Sequence, residues 1–243
     1  MTVLLDIHSH ILPAVDDGAK NLNEALKILK LMQKQGITDV IATPHFYPSL
    51  HSLEAFNLTV NKAFDCLLEA SKERKLPKIY KGCELLYYKD IGLSDELNNF
   101  CLNNSNYLLL ELTDAVIKEP LFDDLLNIQT KANITPIIAH AERYFAAKKY
   151  RKFVKFLKLN NIPIQINADS VLNPLFSKPI KMLLKSELDI ILASDSHSSD
   201  IRPPRLKEAY ELIGIKYGEE IKIKLTEYSK KLHNEIIGGE TLD

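Results

Sequence analysis

Two stretches, Val3-Leu-Leu-Asp-Ile-His-Ser-His10 and Asp39-Val-Ile-Ala-Thr-Pro-His45, decide how this chain folds. Each contains a short apolar run, typical of a strand buried on both faces, and ends in histidine. Residues 21–35, between them, carry apolar side chains at the spacing of an amphipathic helix, and Gly36 marks the end of that helix. The order strand, helix, strand indicates a parallel βαβ unit.

The same alternation continues along the chain about seven times, which indicates a parallel sheet with helices outside it. Periodicity alone does not distinguish a closed barrel from an open, doubly wound sheet. No linker or low-complexity tract divides the sequence, so we predict one α/β domain over residues 1–243. The predicted strands are Val3–Ile7, Val40–Thr43, Lys78–Cys83, Tyr107–Leu110, Thr135–Ala139, Ile162–Ile166 and Ile190–Ala193, and the predicted helices are Asn21–Gln35, Leu53–Lys75, Tyr150–Asn160, Arg205–Ile213 and Glu219–Glu235.

The composition argues against several classes of protein. A net charge of -1 and a pI of about 6.7 lack the basic character of a general nucleic-acid binder. The three cysteines, Cys66, Cys83 and Cys101, form no C-x-x-C pair and favour a reducing compartment. No secretion signal and no long apolar span are found in the sequence. We therefore expect a cytoplasmic protein that is not inserted into a membrane.

Ionisable residues follow six of the seven predicted strands. Carboxyl ends of parallel strands share one edge of the fold, so these side chains are expected to meet. Residues two apart on a strand share a face, which aims His8 and His10 at one point. The segments are Asp6-Ile-His-Ser-His10, with Val15-Asp-Asp-Gly18 after it, then Ala42-Thr-Pro-His45, Gly82-Cys-Glu84, Leu110-Glu111, Ala139-His-Ala-Glu-Arg143 and Ser194-Asp-Ser-His197.

Such a cluster needs counter-charge, because crowded carboxylates repel one another and shift their pKa values. Divalent cations would supply that charge. Imidazole and carboxylate ligands without thiolates suit Mn, Fe or Zn. About nine candidate ligands exceed the need of one ion, so we predict two or three ions, an arrangement that recurs in phosphatases and nucleases.

Two arginines near these segments are candidates for phosphate binding. Arg143 closes the His140 segment, and Arg202 follows His197 by five residues. A planar guanidinium group matches phosphate oxygens. Arg205 is a weaker candidate, expected on a helix surface.

Several other residues are given no primary role. We expect His51 in a solvated turn, His233 on the surface of the last helix, Cys83 in the core and Glu142 behind the metal ligands. No cysteine has arginine six positions later, so the C-x5-R phosphatase loop is absent from the sequence.

The ordered set of segments resembles the polymerase and histidinol phosphatase (PHP) superfamily. Residues 6–26, followed by residues 35–45, are most similar to the bacterial tyrosine-protein phosphatases of the CpsB/YwqE type, encoded in capsular and exopolysaccharide loci. The resemblance extends from Asp6 to the Arg202 region. It implies a distorted (β/α)7 barrel, TIM-like in layout, with three metal ions, usually manganese.

The resemblance also implies roles for individual residues. One ion would be held by His8, His10, Glu84 and Asp195, a second by Glu84, Glu111 and His140, and a third by Asp17, His45 and His197. Only the resemblance selects Asp17 over Asp16. Arg143 and Arg202 would bind phosphate, and these two residues, with His45 and His197, form the implied catalytic set. The implied substrate is phosphotyrosine on a protein, in particular the tyrosine-rich tail of a bacterial tyrosine kinase.

Three other functions fit the same residues. A small-molecule phosphatase, such as one acting on histidinol phosphate, would use the same centre. A PHP phosphodiesterase or exonuclease would need a basic, aromatic surface, which the near-neutral composition does not favour. A binding module without activity would have lost ligands, and none of the implied ligands is missing. The sequence identifies neither the general acid nor the oligomeric state.

Overall fold

Nine strands, all paired in parallel, and eight helices form the described part of the chain. A computed structural model describes residues 5–113, 117, 119–146 and 150–238. The strands are β1 (Leu5–Ser9), β2 (Asp39–Ala42), β3 (His45–Phe46), β4 (Lys78–Lys81), β5 (Glu84–Leu86), β6 (Tyr107–Glu111), β7 (Thr135–Ile138), β8 (Ile164–Asn167) and β9 (Ile190–Ala193). The helices are α1 (Leu22–Lys34), α2 (Leu53–Ser71), α3 (Glu119–Lys131), α4 (Tyr150–Leu159), α5 (Ala168–Leu172), α6 (Ser177–Leu184), α7 (Leu206–Tyr217) and α8 (Glu219–His233).

The strands occupy seven positions in a ring. One sheet has the order β1–β2–β4 and the other has the order β3–β5–β6–β7–β8–β9. Strands β2 and β3 share one position in the ring, and β4 and β5 share the next, so nine strands fill seven positions. The ring closes between β9 and β1, because the Asp195 amide donates to the His8 carbonyl at 2.8 Å and the His10 amide donates to the Ser196 carbonyl at 2.9 Å. The predicted distorted (β/α)7 barrel is therefore confirmed.

The split between β2 and β3 has a cause in the sequence. Pro44 has no amide hydrogen, so it interrupts the ladder of hydrogen bonds between neighbouring strands. Pairing resumes at His45, opposite Glu84 of β5. The short strands β3 and β5 therefore begin at His45 and Glu84 and place these side chains in the mouth of the barrel.

The apolar residues of the strands pack in two buried clusters. In β6, Leu109 belongs to one cluster, and Leu108 and Leu110 belong to the other. This alternation is expected for a strand buried on both faces. Asn21 caps α1 by accepting a hydrogen bond from the Glu24 amide at 3.0 Å.

The sequence predicted the order of these elements better than their limits. Strands are found at all seven predicted positions, although Val3 and Leu4 lie outside the described residues and the third strand ends at Lys81. The short strands β3 and β5 were not predicted. Helices α3, α5 and α6 were not predicted, and α5 and α6, with five and eight residues, are too short to show a clear helical period. In the described ranges, no helix combines the length and the apolar character needed to cross a membrane.

The prediction for His233 was wrong. This residue is buried at the end of α8, and its Nε2 lies 3.1 Å from Asp39 Oδ2. The Lys-rich sequence of α8 suggested a solvated position. His233 is instead buried where α8 packs against the barrel, because the Asp39 carboxylate provides a hydrogen-bond partner for its ring nitrogen.

Candidate metal centre

All nine predicted ligands lie in one cluster at the carboxyl ends of the strands. They lie on β1 or directly after it, in the loop before α1, on β3, β5 and β6, and shortly after β7 and β9. Their ring nitrogens and carboxylate oxygens lie within hydrogen-bond or ion-pair distance of one another, although the residues are far apart in sequence. These residues are His8, His10, Asp17, His45, Glu84, Glu111, His140, Asp195 and His197.

The first group combines His8 of β1 and His10, directly after β1, with two carboxylates. His8 Nε2 and His10 Nε2 lie 3.2 Å apart. Glu84 Oε2 is 3.1 Å from His8 Nε2 and 3.3 Å from His10 Nε2. Asp195 Oδ1 is 3.5 Å from each of these nitrogens. These four residues are the set that the resemblance implies for one ion.

The second group forms around the other side of Glu84. His140 Nε2 is 2.9 Å from Glu84 Oε1 and 3.3 Å from Glu111 Oε1. His45 Nδ1 is 3.0 Å from Glu84 Oε2. Glu84 thus faces both groups and is placed to bridge two cations.

The third group distinguishes the two adjacent aspartates. Asp17 Oδ1 lies 3.6 Å from His45 Nε2 and 3.4 Å from His197 Nε2. Asp16 turns the other way, and its Oδ2 lies 2.7 Å from His10 Nδ1. Asp17 is therefore placed among potential ligands, whereas Asp16 supports His10 from behind. The role of Asp17 as a metal ligand stays a prediction.

The loop that carries these aspartates packs closely on His10. A Cβ atom at Gly18 would lie 2.1 Å from the His10 carbonyl oxygen. The adjacent Ala19 amide donates to that oxygen at 2.9 Å. Glycine is required at this position because any side chain would push the loop away from the cluster.

Four of the five histidines are oriented by a hydrogen bond at Nδ1, which leaves Nε2 facing the cluster. Metal-binding histidines are generally oriented in this way by a partner on the other ring nitrogen. The Nδ1 partners are Gln165 Oε1 for His8 at 3.1 Å, Asp16 Oδ2 for His10 at 2.7 Å, the Tyr144 hydroxyl for His140 at 3.0 Å and the Asp195 carbonyl for His197 at 3.0 Å.

Two buried atoms in the cluster point to cations. Within the described residues, Glu84 Oε2 and His45 Nδ1 have no hydrogen-bond partner. They lie 3.0 Å apart, but their geometry does not satisfy a hydrogen bond. Buried polar groups are costly unless they are paired or coordinate a metal. Both atoms, and the donor set of imidazoles and carboxylates, fit divalent cations such as Mn, Fe or Zn.

The pKa shifts of these groups show the same demand for positive charge. Burial would lower the pKa of His140, but hydrogen bonds to Glu111 and Glu84 outweigh it and raise the pKa to about 9. Burial would raise the pKa of Asp195, but the positive charges of His8, His10 and Arg202 hold it far below its usual value. The raised pKa values of His10 and His140 favour protonated rings that balance the carboxylates, and metal binding would release those protons.

Two cluster residues have a strained backbone. His140 has a φ of +32° and Asp195 a φ of +50°. Such conformations cost of the order of 1–3 kcal/mol for residues other than glycine and concentrate at functional sites. The Gln165 side chain stabilises the backbone conformation of His140, because Gln165 Oε1 accepts a hydrogen bond from the His140 amide at 2.7 Å.

Arg143 and Arg202 converge at the edge of the cluster. Arg143 Nη2 is 2.9 Å, and Arg202 Nη2 is 2.8 Å, from the same oxygen, Asp195 Oδ2. Both side chains are partly exposed, so the two guanidinium groups form a cationic rim around the mouth. Arg205 instead pairs with Glu208 at 2.6 Å and lies on the surface of the helix start, as predicted.

The remaining predictions concern residues outside the cluster. Cys83 is buried in the core, as expected. His51 is exposed, and its Nδ1 accepts from the Tyr47 amide at 3.3 Å. Glu142 is buried beside the site, and its Oε2 accepts from the Asn167 amide at 3.4 Å.

The sequence did not reveal the contribution of β8, the strand without a terminal His, Asp or Glu. Gln165 of β8 is fully buried. Its Oε1 accepts from the His140 amide, which fixes the orientation of the side-chain amide. Gln165 Nε2 then donates to Asn167 Oδ1 at 2.8 Å, and Asn167 Nδ2 donates to Asp195 Oδ2 at 2.6 Å. The alternation of Gln165 and Asn167 toward one face was the available signal.

Replacing Gln165 with leucine is expected to lower metal affinity by about 10–100-fold, the usual effect of losing a partner behind a ligand. The His8 Nδ1 and the His140 amide would lose their common acceptor. Metal content after dialysis tests this, with Gln165→Glu as a variant that retains an acceptor oxygen. Gln129→Leu is the control, because Gln129 of α3 donates to the carbonyl of Asn160, directly after α4, and Asn160 is not one of the cluster residues. Equal metal retention in Gln165→Leu and wild type would refute the role.

Residues 4–232 match the family model described as capsular polysaccharide synthesis, CpsB/CapC. The chain belongs to the CpsB/CapC family. Similar curated members include the tyrosine-protein phosphatase CpsB of Streptococcus agalactiae, 32% identical over an alignment of 227 residues that covers 89% of this chain and 92% of that protein. The tyrosine-protein phosphatase YwqE of Bacillus subtilis is 30% identical over 238 residues, with 94% and 91% covered.

Solved structures support the same relationship. One chain, from the crystal structures of YwqE from Bacillus subtilis and CpsB from Streptococcus pneumoniae, described as unique metal-dependent tyrosine phosphatases, superposes with a TM-score of 0.82 at 25% identity and covers 98% of this chain and 96% of its own. Histidinol phosphate phosphatase from Lactococcus lactis has a TM-score of 0.54 at 15% identity, covering 95% and 94%, and shares the fold. The CpsB/CapC family and the PHP-like barrel are thus confirmed.

Proposed function

We propose that this chain is a metal-dependent protein-tyrosine phosphatase. Its substrate is phosphotyrosine on a bacterial tyrosine kinase, and its activity regulates capsular or exopolysaccharide synthesis. The observation that supports this most strongly is the convergence of five imidazoles and four carboxylates in one pocket rimmed by Arg143 and Arg202. Relatives named as tyrosine-protein phosphatases match nearly the whole chain.

The cofactor in this proposal is a set of three divalent ions, with manganese as the expected metal. The ligand sets are those that the family resemblance implies. His8, His10, Glu84 and Asp195 hold one ion. Glu84, Glu111 and His140 hold the second, and Asp17, His45 and His197 hold the third. Such ions lower the pKa of water and neutralise phosphoryl oxygens, so that hydrolysis proceeds near neutral pH.

The protein's own residues bind and orient the substrate. Arg143 and Arg202 bind the phosphoryl oxygens, whose negative charge they stabilise during transfer to water. Asp195 holds both guanidinium groups in place through Oδ2. Gln165 and Asp16 orient His8 and His10 through their Nδ1 atoms. Because these partners are preorganised, little reorganisation is needed when the substrate binds.

The cellular context forms part of the same proposal. The cysteines Cys66, Cys83 and Cys101 are free thiols in the structure, which suits the reducing cytoplasm. The tail of a tyrosine kinase exposed to the cytoplasm would be accessible to a protein located there. In this proposal, residues 1–243 form one catalytic domain.

A panel of phosphorylated substrates tests the proposal. With Mn²⁺ added, we expect a phosphotyrosine peptide to be hydrolysed faster than histidinol phosphate, with no degradation of single-stranded DNA. Metal chelation should abolish the activity, and added Mn²⁺ should restore it. Preference for histidinol phosphate would instead indicate a small-molecule phosphatase, and DNA degradation would indicate a nuclease. Bound metal without turnover of any substrate would indicate a binding module.

A further inference from the structure

A cavity of about 330 Å³ adjoins one side of the cluster. Its inner side is lined by Asp17, His197 and Arg202, which belong to the proposed metal and phosphate sites. Its outer side includes Lys20, before α1, and Ile201, in the loop after β9. The cavity therefore leads from the proposed phosphate site to the protein surface.

Hydrogen bonds hold the wall of this cavity in place. The Ser198 hydroxyl accepts from the amides of Ile201 and Arg202, both at 3.0 Å. The His197 amide donates to the Arg202 carbonyl at 3.0 Å. Glu24 of α1 accepts from the Ser199 amide at 2.6 Å and ties the loop to the helix. The cavity is thus preformed, as is usual for small-molecule sites.

The outer wall presents one apolar side chain, Ile201, among polar residues that include Asn21, Glu24 and Asp200. Ile201 is 83% exposed. The next residue, Arg202, forms an ion pair with Asp195 of the cluster. Lys20 is also exposed and offers an aliphatic stem with a terminal ammonium group. Apolar carbon beside a cation suits an aromatic ring, which gains from both contacts.

We propose that this cavity binds the phenyl ring of phosphotyrosine, with Ile201 and Lys20 as specificity-determining residues. This inference rests on the proposed function, because it assumes that the phosphate group lies at Arg202. A cavity of about 150 Å³ is sufficient for benzene. The observed volume accommodates a phenyl ring with its first side-chain carbon. A phosphate ester held at Arg202 can direct its ring into the cavity without moving the loop.

The test compares two competitive inhibitors that share a phosphonate but differ in the attached group. Phenylphosphonate carries a ring, whereas methylphosphonate does not. In the wild-type protein loaded with Mn²⁺, we expect phenylphosphonate to inhibit more strongly. The double variant Lys20→Ala/Ile201→Ala should weaken inhibition by phenylphosphonate about three- to tenfold and leave that by methylphosphonate unchanged. Equilibrium binding of both compounds to the same proteins provides a readout independent of turnover.

The control is the double variant Lys30→Ala/Ile215→Ala. Lys30 and Ile215 are exposed residues of the same types on α1 and α7, and neither lines the cavity. This control should retain the wild-type ratio of the two inhibition constants. An unchanged ratio in Lys20→Ala/Ile201→Ala would overturn the inference while the wild-type enzyme remained active on phosphotyrosine. A wild-type enzyme without that activity would instead refute the proposed function.

Discussion

Replacing Glu84 with glutamine is expected to reduce hydrolysis of a phosphotyrosine peptide by more than about 100-fold, the upper range seen for residues behind a ligand. Glu84 faces four histidines of the cluster within 3.3 Å: His8, His10, His45 and His140. An amide preserves the shape of this side chain but removes its negative charge. It also presents N–H groups to ring nitrogens, so two proposed ions would lose their shared ligand.

The measurements are phosphate release and metal content per chain, with thermal unfolding to establish that the variant folds. Glu142→Gln is the matched control, because Glu142 is also a buried glutamate near the barrel mouth but bonds the Asn167 amide. We expect the control to retain its metal. Wild-type turnover by Glu84→Gln, with unchanged metal content, would exclude Glu84 from the site.

The second large effect is expected for Arg202→Ala, which should lower kcat/KM by about 100–1,000-fold, as for loss of one donor to a developing negative charge. Metal content should change little, since the proposed ligands remain. Arg202→Lys should recover only part of the activity, because an ammonium group lacks the planar fork that matches phosphate.

Arg205→Ala provides the control for this variant. Arg205 is three residues away and 40% exposed, compared with 37% for Arg202, but it pairs with Glu208. Its replacement should leave kcat/KM within a few-fold of the wild-type value. Full activity in Arg202→Ala would remove the role assigned to Arg202, whereas a loss of metal would show that it acts mainly by holding Asp195.

Much of the fold could be predicted because its signals are local. Short apolar runs followed by amphipathic stretches predicted the seven strand positions, and β9 was located with the correct limits. Helix α6 was not predicted, because its eight residues are too few to carry a clear periodic signal. The burial of His233 depends on Asp39, a residue 194 positions away, and no local pattern indicates that pair.

The candidate site was predictable for a different reason. Residues directly after parallel strands share one end of the barrel whatever the details of packing, so the strand pattern alone brought His8, Glu84 and His140 to a common region. The resemblance then chose Asp17 over Asp16. The structure gives a physical basis for that preference, since Asp17 faces His45 and His197 while Asp16 bonds His10.

The order of strands and helices and the chemical identity of the groups at the strand ends can be read from the amino-acid sequence, because both depend on periodicity and residue type. Three features follow only from packing: the closure of the barrel between β1 and β9, the ring nitrogen that each histidine turns toward the cluster, and the link from His140 to Asp195 through Gln165 and Asn167. These features depend on distances between residues remote in the chain. Such distances are fixed only when the strands pack together.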